Sequence, residues 1–260
     1  PQFEAMEPLF EENNILLAIP TASGKSLVAY IGILNQLLNL NPGSRAVYIV
    51  PLKALASEKF DDLKQIGQHL GLKIGLGIGD ATSEAKNIDD ADILICTSEK
   101  LDSLMRTRSE LMSNVSIVVA DEFHLLHDAS RGPTLEINLT RLRTLRPNAQ
   151  LIALSATVGN CDILAKWLDA TLVQSDWRPV DLEYATLHDR HLEPRKIQSS
   201  SMDATVQALS PPRHLEGPLS HPAWIVVQDT IEQGGQVLVF VGTRRSCLLY
   251  TSDAADDFVR

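Results

Sequence analysis

Residues 15 to 26 read ILLAIPTASGKS: an apolar run, Ile15 to Ile19, then a short loop of small and polar residues. A segment follows in which Leu27, Tyr30, Ile31, Leu34, Leu37 and Leu38 recur at helical spacing. The order predicted is strand, tight loop, helix. Such a loop turns backbone N–H groups toward a common point at a helix N-terminus, where unpaired donors and the helix dipole favour phosphate. Thr21, Ala22, Ser23 and Gly24 form the loop, Lys25 adds a charge for the outer phosphates, and Ser26 offers a hydroxyl to Mg²⁺. The pattern G-x-x-x-x-G-K-[ST] is broken at its first glycine, where Ile19 stands, so Thr21-Ala22-Ser23 must make the turn without it.

Outward from the loop the pattern repeats. Ala46 to Val50, Ile74 to Gly77, Ile93 to Thr97, Ile117 to Ala120 and Leu151 to Leu154 are short apolar runs. Between them lie helical stretches, one carrying Leu55, Phe60, Leu63, Ile66 and Leu70 and closed by Gly71, another carrying Leu101, Leu104 and Met105 with Ser98 as its expected cap. Strands apolar along their whole length, alternating with helices, predict an α/β fold with a parallel sheet covered on both faces, and ligands at the strands' carboxyl ends.

That edge is where Asp121-Glu122-Phe123-His124 follows the strand Ile117 to Ala120. Phosphoryl transfer to water needs a carboxylate to hold Mg²⁺ and a second group to orient the attacking water. Asp121 suits the first role and Glu122 the second. Ser155-Ala156-Thr157 ends the next strand, from which two hydroxyls could bond to Asp121 or His124 and report the nucleotide's state.

Composition bounds the rest. The chain has 260 residues, 44% hydrophobic and 22% charged, typical of a globular protein. No apolar run approaches the roughly 20 residues that span a bilayer, which argues against a membrane role. The three cysteines, Cys96, Cys161 and Cys247, lack metal-ligand spacing, so a reducing, cytoplasmic setting is expected. His188, His191, His214 and His221 likewise lack acidic or cysteine partners at ligand spacing, and Trp167, spaced with Leu164 and Leu168, is expected in the core. The formal net charge of -10 argues against a generally basic nucleic-acid surface but not against a local groove.

In order along the chain, PTASGKS, IVPLKALASEKF, TSEKLDSL, DEFH, LSATVGN, SDWRPV and VFVGTRR resemble the motifs of superfamily 2 helicases. The run LSATVGNCDILAKWLDATLVQSDWRPV is most similar to the archaeal Hjm-type DNA repair helicases. The resemblance implies RecA-like motor domains and an ATP-driven enzyme that tracks three-prime to five-prime on single-stranded DNA and opens forks. It assigns Gln2 to adenine reading, Lys25 and Ser26 to phosphates and Mg²⁺, Asp121 to the metal and Glu122 to the water. His124, Ser155 and Thr157 become the coupling between ATP and DNA. Pro51, Leu52, Lys53 and Ala54, with Thr97, Ser98 and Lys100, become the residues that grip the single strand. Gly79, Asp80 and Arg131 fall at further DNA contacts, and Thr243 and Arg244 begin the second motor domain's own set.

The domains expected are a RecA-like ATP-binding domain over 1–175 with its first turn truncated, a linker or irregular insertion over 176–222, and the incomplete start of a second RecA-like domain over 223–246, with a buried strand at Val237 to Val241. Residues 247–260 contain CLLYTSDAAD, which resembles the translation of a sequencing adapter. In the family the second domain supplies an arginine finger, and winged-helix, ratchet and C-terminal domains follow; none is within the chain. Weak Mg-ATP binding and almost no turnover are therefore expected of residues 1–246, as a monomer. The alternatives are an RNA helicase of the same superfamily, a nucleotide-dependent binding module that does not move and, last, a small-molecule kinase.

Overall fold

The computed structural model describes residues 1–79, 85–156, 159–179, 182–198, 205–208, 212–216 and 222–241. The chain divides into two units, Pro1–Val180 and Asp181–Arg260.

The first unit begins with the short helix α1 (Met6–Phe10) and continues as β1 (Asn14–Ala18), α2 (Lys25–Asn35), β2 (Arg45–Val50), α3 (Lys53–Leu70), β3 (Ile74–Gly77), β4 (Ala85–Lys86) and β5 (Ile93–Thr97). Next come α4 (Ser98–Thr107), β6 (Val115–Ala120), α5 (Gly132–Leu145), β7 (Gln150–Ser155), α6 (Cys161–Leu168) and β8 (Ala170–Gln174). The strands form one sheet in the order β4-β3-β5-β2-β6-β7-β1-β8, in which β4 alone runs antiparallel. This is a RecA-like α/β sheet.

Strand alternation sends successive side chains to opposite faces, and the two cores follow that period of two. Ile15, Leu17, Tyr48 and Val50 pack with Val28 and Ile33 of α2 and Phe60 and Leu63 of α3. Leu16, Ala18, Val47 and Ile49 pack on the other face with Leu101 and Leu104 of α4, Leu139 of α5 and Ala165 of α6. Trp167 packs against this second core and stacks on Phe123 at 6.4 Å.

Strand order positions the site. Because β1, β7 and β6 are neighbours, the loops after them emerge side by side at one edge; because β2 and β5 lie on the other side of β6, their loops emerge at the same edge. The loop after β6 is thus shared by both groups.

Several local expectations are corrected. Leu27 and Leu38 are exposed, since α2 turns Val28, Ala29 and Ile33 inward and the helical turn Gln36–Leu40 that follows buries Leu37 instead. The cap of α4 is Thr97, not Ser98: its side-chain oxygen accepts from Lys100 N at 3.4 Å, while Ser98 is the first residue of the helix. β8 was not foreseen, because an edge strand with one buried side chain lacks the continuous apolar run that marks its neighbours.

In the second unit the expected irregular insertion instead contains a small sheet. β9 (Tyr184–His188) and β10 (His191–Gln198) pair antiparallel, and β11 (Thr205–Ala208) and β12 (Arg213–His214) also pair with β10. Asp189 and Arg190, both at positive φ (44° and 65°), make the two-residue turn. That geometry is normally signalled by Asn-Gly or Asp-Gly, so Asp-Arg concealed the hairpin. The last element is α7 (Pro222–Glu232). Val237 to Val241, expected as a buried strand, has no strand assignment, and Leu238 and Phe240 are exposed. A parallel strand is stable only with neighbours on which to form its ladder, and no described strand pairs with this run.

Candidate nucleotide and nucleic-acid site

The loop after β1 is built by its backbone. Ala22 and Gly24 both have positive φ, 63° and 75°, and α2 starts at Lys25. Gly24 is needed twice over: its conformation disfavours L side chains, and a Cβ there would stand 2.2 Å from Nε2 of Gln2. Gln2 lies on the loop, donating to Ser23 O at 2.8 Å and to Gly24 O at 3.4 Å. The Lys25 ammonium, in a residue only 8% exposed, donates to Ile19 O at 3.0 Å and Pro20 O at 3.3 Å. Burial lowers its pKa, while Glu122 and Asp121 oppose that shift and Arg178 adds to it. A desolvated cation held by two neutral carbonyls suits an incoming anion.

Asp121 is also only 8% exposed. Its Oδ2 accepts from the Tyr48 hydroxyl at 2.9 Å and its Oδ1 from Glu122 N at 2.8 Å. Glu122 takes a left-handed conformation (φ 50°, ψ 42°), uncommon outside glycine and costing roughly 1 kcal/mol or more. Strain of this kind persists where surrounding contacts enforce it, here the bond of Glu122 N to its neighbour's carboxylate. Glu122 Oε2 lies 3.3 Å from His124 Nδ1. The same Nδ1 is 3.4 Å from Ala156 N, a donor, and it cannot both donate and accept. The amide makes the hydrogen bond, so Nδ1 accepts from Ala156 N, and the Glu122 carboxylate stands beside the ring without accepting from that nitrogen.

Ser155 does not use its hydroxyl as expected. It is fully buried and donates to Ala156 O at 2.8 Å, so the described link between β7 and His124 runs through the Ala156 amide. Thr157, Asp80, Thr243 and Arg244 lie outside the described residues.

The residues expected to grip a nucleic acid divide into groups. Pro51 and Ser98 share a small crevice with Asp121, Glu122 and Arg131. Leu52 caps α3 in extended conformation, with Lys53 its first residue and Ala54 its second, and Lys100 stands in the first turn of α4. Asn138 of α5, fully buried, donates to Ser98 O at 2.7 Å and so fixes the start of α4. Gly79 lies beyond β3, outside this crevice.

Arg131 is presented by a folded turn. Asp128 Oδ1 accepts from Ser130 N, Ser130 Oγ and Arg131 N at 2.9, 2.6 and 3.0 Å, bonds that hold its carboxyl down at about 2. Gly132 then approaches the preceding turn so closely that a Cβ would meet Leu126 O at 2.0 Å. Gly132→Ala should therefore destabilise the unit by about 3 kcal/mol, at the upper end for overpacking because the obstacle is backbone, as read from the urea midpoint. A loss under about 1 kcal/mol would show that the turn yields freely.

Sequence reasoning missed four contributors. Tyr48 was seen only as part of an apolar strand, although a phenol in a doubly covered strand must find a partner. Asn138 carried no motif. Trp177 and Arg178 were quoted only for resemblance, yet Trp177 O accepts from Ser23 Oγ at 3.5 Å and Arg178 acts on the charge of Lys25. Cys96 is no nucleophile, since burial pushes its thiol up to about 12.

The donors that converge here are a hydroxyl, carboxylate oxygens and an ammonium, beside backbone amides at a helix start. Ser26 and Asp121 present the hard oxygen ligands that suit Mg²⁺ bound together with phosphates, so the set fits such a pair. Comparison with known proteins agrees. Residues 1–164 match the DEAD/DEAH box helicase model. The chain is 42% identical over 251 residues to the ATP-dependent DNA helicase Hel308 of Methanocella arvoryzae, covering 95% of this chain and 32% of that protein. It is 44% identical over 249 residues to the Hel308 of Thermococcus kodakarensis, and 40% identical over 253 residues to that of Methanocaldococcus jannaschii, in each case covering 95% of this chain and 20% of the relative. The chain thus spans between a fifth and a third of the length of these relatives. With the phosphate loop, the carboxylate pair and the strand order all in agreement, the chain belongs to the DEAD/DEAH box helicase family.

Proposed function

We propose that this chain is the nucleotide-binding part of the motor of an ATP-dependent DNA helicase, inactive alone, and that the full-length protein uses Mg²⁺-ATP to move three-prime to five-prime on single-stranded DNA and to open forks. The observation that carries the reading is the place of β6. It stands between β7, next to the phosphate-loop strand β1, and β2, whose loop carries Pro51 to Ala54. Asp121 and Glu122 therefore lie where a change at the phosphates is felt by the loops that would hold a backbone. In this reading Lys25 and Ser26 hold phosphates and metal, Asp121 the metal, and Glu122 the attacking water, with Gln2 at the base side and Trp177 and Arg178 closing the loop's outer side. Ser155 and Thr157 act with His124 as the link to DNA. Pro51, Leu52, Lys53, Ala54, Thr97, Ser98, Lys100 and Arg131 face the sugar-phosphate chain, with Gly79, Asp80, Thr243 and Arg244 as outlying contacts. Contacts of this type are independent of sequence, as tracking requires.

The preference for DNA rests on the likeness to relatives named as DNA helicases. A monomer in a reducing, cytoplasmic setting completes the reading; no described helix is long and apolar enough to cross a membrane. The test is strand separation by the natural gene product, with Mg²⁺ and ATP, on three-prime-tailed forks of DNA or of RNA. Opening of the DNA fork alone is expected. Opening of RNA alone would transfer the protein to RNA processing, and ATP binding with neither fork opened would make it a binding module.

A further inference from the structure

Tyr48 lies in the middle of β2, 0% exposed, in a run whose other members are aliphatic. Its hydroxyl donates to Asp121 Oδ2 at 2.9 Å. A phenol has one proton, and here it is committed to the carboxylate.

This bond has a chemical result. Asp121 is held at both oxygens, by Tyr48 and by the Glu122 amide, so its plane cannot rotate, yet each oxygen keeps further accepting capacity. The tyrosine ring is braced as well. It packs 6.2 Å from the ring of Tyr30, whose own hydroxyl donates to Asp62 of α3 at 3.0 Å.

We propose that Tyr48 is a positioning residue for the cation, its phenol orienting the Asp121 carboxylate so that it presents a lone pair to Mg²⁺. The proposal rests on reading the loop as a Mg²⁺-nucleotide site. It requires no contact between Tyr48 and the metal, only that this ligand be set before the metal arrives.

The experiment compares the chain with its Tyr48→Phe form, titrating Mg²⁺ against a fluorescent ADP analogue and recording melting curves in parallel. The Mg²⁺ concentration for half-maximal enhancement of binding should rise about tenfold, while binding in excess EDTA stays unchanged. A hydroxyl that serves only to hold the core would lower the melting temperature and leave the Mg²⁺ midpoint unmoved, which overturns the proposal. If the unsubstituted chain shows no Mg²⁺-dependent binding, the nucleotide-site reading falls and this inference with it. Should Tyr48→Phe not fold, ¹⁹F spectra of the chain labelled with m-fluorotyrosine replace it. Mg²⁺ added over ADP should shift a solvent-shielded resonance that persists in Tyr30→Phe, and the lack of a shift refutes the role.

Discussion

Lys25→Ala should weaken ATP binding by about two orders of magnitude, the loss expected when a desolvated charge–phosphate contact disappears. The ammonium is already buried and already oriented by the carbonyls of Ile19 and Pro20, so little further ordering is needed when an anion arrives. Alanine removes the charge and both bonds, leaving the loop carbonyls without their shared donor. Titration with a fluorescent ATP analogue in Mg²⁺ measures it, and a change of less than about threefold would place the phosphates elsewhere. Lysine to arginine should not rescue, because a planar fork does not fit where a compact ammonium sits between two carbonyls. The pH dependence has a definite sign. The native pKa lies below the ordinary 10.5, so the unfolded chain binds more protons in the interval between them. Across that interval rising pH should increase stability while ATP affinity falls, because the form that suits the empty core is the uncharged one.

In the full-length natural gene product, Glu122→Gln should reduce turnover about a thousandfold and leave ATP affinity within about twofold, within the range attributed to a general base. The amide keeps the shape of the side chain, and the left-handed backbone is fixed by the bond from Glu122 N to Asp121 Oδ1, which the substitution does not touch. What disappears is the carboxylate that lies 3.3 Å from His124 Nδ1 and that could take a proton from water. Single-turnover hydrolysis beside equilibrium binding separates the two effects. Equal loss of binding and turnover would instead make Glu122 part of the metal site, and full turnover would remove it from the chemistry.

Much of the site's grammar was legible because each piece is local. A loop of Thr21 to Gly24 before Lys25 makes one turn whatever surrounds it, and Asp121 directly after an apolar strand must leave the sheet at its carboxyl edge. The hairpin through Asp189 and Arg190 was not legible, since its turn uses neither glycine nor asparagine at two left-handed positions. Nor was the state of Val237 to Val241, because an apolar run becomes a strand only when neighbours complete its hydrogen bonds. Ser155 illustrates a different limit: the residue lies where expected, but its rotamer, which turns the hydroxyl to Ala156 O, is set by packing.

From the sequence alone follow the α/β class, the phosphate loop and the identity of the carboxylate pair, since period, loop chemistry and strand-end placement are properties of neighbouring residues. The order β5-β2-β6-β7-β1 was decided only in the tertiary structure. Pairing between parallel strands joins residues from tens to more than a hundred positions apart, as Ala46 with Ile93 and Ile15 with Ile152, and no short-range pattern encodes which apolar strand lies beside which. The same long-range packing brings Tyr48 to Asp121, 73 residues away, and so orders a proton that the sequence shows only as one tyrosine in an apolar run.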